Sequence, residues 1–76
     1  MDPGLAFGKV LRDVRKNAHL TQEQVAFAAG VERIYVSLLE RGERQPTVRV
    51  VFKLAAALNT RASELIARTE DLVSKD

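Results

Sequence analysis

The sequence predicts an all-α domain built from five helices. Three observations carry this. Apolar residues recur at i, i+3 and i+4 along most of the chain, the rhythm of an amphipathic helix. The one run of β-branched residues, Val48 to Val51, continues into Leu54, Ala55 and Leu58, which is again helical spacing. Helix start and stop signals fall between the apolar stretches, at Thr21, Gly30, Gly42 and Thr47.

The first helix is expected from about Leu5 to Ala18, with Phe7, Val10, Leu11, Val14 and Ala18 on its inner side. Lys9, Arg12, Asp13 and Lys16 take the other side. Thr21-Gln22-Glu23-Gln24 fits a capping box and opens the second helix, which carries Val25, Ala26, Ala28 and Ala29. Gly30 tolerates a left-handed backbone and stops it. The third helix follows after Val31 and Glu32 and runs to about Arg41, ending at Gly42. Its inner face is Val36 and Leu39; Arg33, Ile34, Tyr35, Ser37 and Leu38 take the sides and outside.

Glu43-Arg44-Gln45-Pro46 reads as a turn. Thr47 caps the fourth helix, with a buried stripe of Val48, Val51, Leu54, Ala55 and Leu58. Asn59-Thr60 breaks it. A short fifth helix faces inward with Ala62, Leu65 and Ile66, and a polar tail from about Glu70 to Asp76 is expected to fray. No linker or repeat interrupts the chain, so residues 1–76 are expected to form one domain with a core over about 5–66.

Composition narrows the function. No cysteine is present, and His19 is the single histidine, so neither a disulfide nor a zinc site is expected. No nucleophile–base pair, phosphate-cradling glycine loop or metal-ligand cluster can be recognised, so no enzymatic activity, cofactor or small-molecule substrate is expected. No apolar run reaches the length of a membrane span, and the N-terminus lacks the pattern of a secretory signal. A cytoplasmic location is expected. The net charge of +2 is small, but its distribution is uneven. Residues 1–49 hold eight Lys/Arg and six Asp/Glu, whereas residues 50–76 hold four of each. The excess falls where Arg33, Arg41, Arg44 and Arg49 lie close in sequence, which suits an anionic partner or a solvated face.

Two helices joined by a tight glycine turn, the second with a polar outer face, form a helix-turn-helix. The geometry needs a small residue where the helices cross, and Ala26 stands there. It needs a chain reversal in about three residues, which Gly30 permits. It needs apolar support behind the second helix, which Val31, Val36 and Leu39 provide. Thr21 and Gln22, and likewise Thr47 and Arg49, open helices whose N-terminal amides favour phosphate. Arg41 and Arg44 flank the turn between them. The alternative roles are capping for the threonines and plain solvation for the arginines.

The residues Leu20–Ala26, Ala29-Gly30-Val31, Val36-Ser37, Glu40-Arg41-Gly42, Arg44, Pro46, Leu54-Ala55 and Leu58 resemble the Xre-type, lambda-repressor-like helix-turn-helix domain over about residues 5–66. The stretch Gly30 to Ser37 with Glu40-Arg41-Gly42 is especially similar to controller proteins of restriction–modification systems. The resemblance implies a small dimeric transcriptional regulator that reads double-stranded DNA. It places Arg33, Ile34, Tyr35, Ser37 and Leu38 on the DNA-facing side. Arg33 suits two-point contact with guanine; otherwise it is a solvated arginine. Ser37 suits phosphate or base, or is a neutral surface residue. Tyr35 suits phosphate or a thymine methyl, or packs on a neighbouring helix. The resemblance also implies a structural pair of Arg15 and Glu40, the alternative being two separate solvated charges.

Phe52, Ala56, Leu65 and Ile66 offer more apolar surface than one small core needs, which suits a two-fold dimer on a palindromic site. The alternative is that all four fill the monomer core. Three departures from the family pattern stand out. Glu32 and Arg61 replace capping serines, so the fifth helix is expected to begin at Thr60. Phe27 takes a usually polar position, which a single exposed apolar residue explains. The rival to DNA reading is a protein-interaction module, such as an antitoxin or adaptor, that keeps the fold.

Overall fold

In the computed structural model, which describes residues 1–75, five helices follow one another in the expected order. They are α1 (Pro3–Asn17), α2 (Gln22–Ala29), α3 (Arg33–Glu40), α4 (Val48–Ala57) and α5 (Ala62–Ser74). Asp76 lies outside the described residues, and among those described there is no strand.

Local chemistry sets most boundaries. Asp2 accepts from the Leu5 amide at 3.1 Å, and Pro3 supplies a pre-set first helical residue. That pair starts α1 two residues before Leu5. Thr21 Oγ1 accepts from the Gln24 amide at 3.0 Å, and the Thr21 amide donates to Gln24 Oε1 at 2.9 Å, which completes the capping box. Thr47 Oγ1 accepts from the Val50 amide at 3.1 Å. Glu32 and Arg61 cap α3 and α5 with no side-chain bond, and α5 begins at Ala62 rather than Thr60.

Four of the five helices end in one device, a left-handed residue at His19, Gly30, Gly42 or Asn59. After α3 the Gly42 amide donates to the Leu39 carbonyl at 3.1 Å and the Glu43 amide to Leu38 at 2.9 Å, the Schellman pattern. The same pair of bonds recurs at Leu20, Val31 and Thr60, donating to Arg15, Ala26 and Ala55.

α1 packs on α3 and α5, α2 on α3 and α4, and α4 on α5. The core gathers Leu11, Val25, Leu39, Leu54 and Leu65, each fully buried. Four expectations are corrected. Val48, assigned to the buried stripe, is 75% exposed, because it is the first residue of α4 and lies on the outer surface beside Phe52 and Ile66. Ala18 caps α1 and is exposed. Ile66 is 48% exposed. The tail is helical through Ser74, because Leu65, Thr69 and Leu72 repeat at i, i+4 and i+7 and carry α5 along α1.

Gly8 lets α1 touch the end of α3. A Cβ there would lie 2.5 Å from the Leu39 carbonyl oxygen and 2.7 Å from that of Glu40. Gly8→Ala is therefore expected to destabilise the domain by about 1–3 kcal/mol through overpacking, despite alanine's better helix propensity. A thermal melt checks this, and an unchanged midpoint would mean that α1 shifts freely.

Candidate nucleic-acid interface

α3 is eight residues long, about 12 Å at the usual rise. With its side chains a helix is about 10–12 Å across, which fits a major groove about 12 Å wide. Val36 and Leu39 are fully buried behind it, while Arg33 and Ile34 stand exposed. Tyr35, Ser37 and Leu38 are half-buried along its flanks. The five residues expected to face DNA thus divide into two projecting side chains and three shoulders. Ala26, the small residue expected where α2 and α3 cross, is 3% exposed.

A hydrogen-bonded brace holds α3 from behind. Arg15 Nε donates to Glu40 Oε2 at 2.6 Å, and Arg15 Nη2 to Glu40 Oε1 at 3.0 Å. Arg15 Nη1 donates to the Leu20 carbonyl at 2.9 Å, and Gln22 Nε2 to Glu40 Oε1 at 3.0 Å. The brace thereby joins α1, the turn after it, the start of α2 and the last residue of α3. Its two charged side chains are 10% and 4% exposed. The Glu40 hydrogen bond and charge raise the Arg15 guanidinium above its ordinary value, against the opposing effect of burial. Gln22, expected at phosphate, has its side-chain nitrogen turned to Glu40. Nothing in the spacing signalled that role.

The other phosphate candidates lie at helix starts and in the α3–α4 turn. The first intrahelical bonds of α2 and α4 come from Val25 and Val51, donating to Thr21 and Thr47. The amides of Gln22, Glu23, Val48 and Arg49 therefore have no acceptor within their helices. Arg41 pairs with Glu43 at 3.4 Å, both about half exposed, a contact worth little in stability. Arg44 lies over the Tyr35 ring, 6.0 Å from its centre. Arg33, Arg41, Arg44 and Arg49 are all exposed.

A second surface lies on α4 and α5. Phe52 is 63% exposed and shares shallow depressions with Val48 and Ile66 on one side and with Arg49, Lys53 and Ala56 on the other. Leu65, expected in this surface, is fully buried in the core, because its side of α5 faces the monomer interior. Val48 belongs to the surface instead. Phe27 stands alone at 89% exposure on α2.

The chain belongs to the helix-turn-helix family (HTH_3), whose model matches residues 11–65. It is a transcriptional regulator with a helix-turn-helix DNA-binding domain. Over 93% of its length it is 38% identical to y4dJ, an uncharacterized HTH-type transcriptional regulator of Sinorhizobium fredii, and covers 92% of that protein. It is 40% identical to control protein C.SmaI of Serratia marcescens, over 76% of this chain and 69% of that one. Among solved structures it resembles the restriction–modification controller protein C.AhdI of Aeromonas hydrophila. The TM-score is 0.79 and the identity 41%, over 80% of this chain and 92% of that one. Five helices, no strand among the described residues and this likeness define a lambda-repressor-like fold. No helix among the described residues is long and apolar enough to cross a membrane.

Proposed function

We propose that this regulator is a homodimer that reads a palindromic operator in double-stranded DNA, with α3 in the major groove. The observation that carries the reading is the braced recognition helix. Val36, Leu39 and the Arg15–Glu40 pair fix it from behind, and Arg33 and Ile34 project in front. Arg33, Ile34, Tyr35, Ser37 and Leu38 face the bases. Thr21, Gln22, Arg41, Arg44, Thr47 and Arg49 face phosphates. The role of Gln22 there falls to its backbone amide, since its side chain serves Glu40. Phe52, Ala56 and Ile66, joined by Val48, meet the same residues of a second copy. The named relatives favour control of a restriction–modification system as the setting. Its work is binding alone, in the cytoplasm beside the DNA, with no catalysis and no cofactor.

Selection from a random duplex pool at near-physiological salt tests this. A two-fold symmetric motif is expected. An unsymmetrical half-site would remove the dimer, and no enrichment from folded protein would favour the interaction-module reading, for which Ile34, Tyr35 and Leu38 supply apolar surface. Two substitutions separate the roles. Arg33→Ala is expected to cost about 1–3 kcal/mol on the selected site and to relax preference at one base pair. Arg49→Ala is expected to weaken all duplexes alike and to flatten the salt dependence. Equal behaviour of the two variants on selected and random DNA would overturn these assignments.

A further inference from the structure

We propose that Arg44 is a positioning residue for Tyr35, so that a loop arginine shapes base preference through the ring it covers. The inference rests on the DNA-reading function proposed above. Tyr35 is half-buried on α3 and packs against the core with part of its surface. The Arg44 guanidinium lies over the remaining ring, at the outer reach of a cation–π contact.

The scaffold places Arg44 there. Gly42, two residues before it, lies against Leu5 so closely that an added Cβ would overlap that side chain. Gln45, the residue after it, lays its side-chain amide against Gly4. The turn is thus seated on the start of α1 by the Gly42 backbone on one side of Arg44 and by the Gln45 side chain on the other. A planar guanidinium can cover a ring with its face and still offer N–H groups at its edge to a phosphate. The ring is then held by the same group that grips the backbone, and its place over the bases follows from where that phosphate lies. An ammonium carries the charge but has no plane to stack.

The test replaces the plane and keeps the charge. The chain has one tyrosine and no tryptophan, so the tyrosine band in near-ultraviolet circular dichroism reports Tyr35 alone. Arg44→Lys is expected to change that band in the free protein. On the selected operator it is expected to weaken binding about two- to five-fold, with an unchanged salt slope, because the number of cations is the same. It is also expected to relax preference at one base pair. Tyr35→Phe keeps the ring and preserves the effect of Arg44→Lys. In a Tyr35→Ala background Arg44→Lys is expected to make no further difference. An unchanged tyrosine band with additive losses and intact base preference would overturn the proposal and leave Arg44 as a phosphate contact alone. If the unsubstituted protein selects no sequence, the DNA-reading function falls and the proposal falls with it. That failure is distinct, because it precedes any substitution.

Discussion

Glu40→Ala is expected to lower stability by about 3–5 kcal/mol, the usual cost of removing one partner from a buried ion pair. A chain of this size has only about 4–11 kcal/mol in total, at the customary stability per residue. The variant should therefore be partly unfolded at moderate temperature. The cost arises because three N–H donors lose one carboxylate. Arg15 keeps its bond to the Leu20 carbonyl but holds a charge with no counterion. Gln22 loses its acceptor too. A urea titration measures the loss, and an unchanged midpoint would sink the idea of a brace. The sign of the pH dependence follows from Arg15. Its guanidinium is raised in the folded state, so this contribution is complete below the ordinary arginine value and is lost only as pH climbs past the raised one. Arginine deprotonation therefore leaves the brace intact at neutral and moderately alkaline pH.

Phe52→Asp is expected to leave the fold standing and to abolish the proposed dimer. Phe52 is mostly exposed, so the monomer loses little. A carboxylate between Val48 and Ile66 would be desolvated without a partner at a two-fold contact, and there would be two of them. Operator affinity should fall by about 10²–10⁴, the gain that joining two half-site readers provides. Sedimentation should show a monomer with an unchanged circular dichroism spectrum. A dimer that survives would place the interface elsewhere. Leu65→Asp is the contrasting change, since that side chain is in the core and its loss unfolds the chain before any interface is tested.

The helices and their order were legible because their signals are local. Thr21 with Gln24, Gly30, Gly42 and Asn59 act within a few residues of themselves, and each sits at the boundary that it marks. His19 gives a weaker signal, because histidine takes a left-handed backbone less readily than glycine. What failed depended on the direction in which a side chain leaves its helix. Val48 and Leu65 are both apolar and both fit a helical stripe, yet one faces out and the other in. Periodicity defines a stripe but leaves its edges open by a residue or so, and the edges decide which residues reach a second surface. In sequence α5 reads short because Glu70 and Asp71 look like a tail, while Thr69 and Leu72 carry the inner face onward. The brace was half legible. The Arg15–Glu40 pair came from resemblance, whereas the third member, Gln22, needed coordinates. Gly8 gave no signal beyond being a glycine inside a helix.

The connection between α2 and α3 has just three residues, Gly30 to Glu32, and begins with a left-handed glycine. So short a link works as an angular gauge. Each residue added to an α-helix turns it by about 100° about its axis. One extra residue between Gly30 and Arg33, absorbed into the start of α3, would rotate Arg33 and Ile34 from the front of the helix to its side. Substitutions in this link alter how firmly α3 is held, but a change of length alters which way it looks. The seven residues from Arg41 to Thr47 follow α3, so added length there leaves the outward direction of Arg33 and Ile34 unchanged. Insertions should therefore be tolerated on one side of the recognition helix and ruinous on the other.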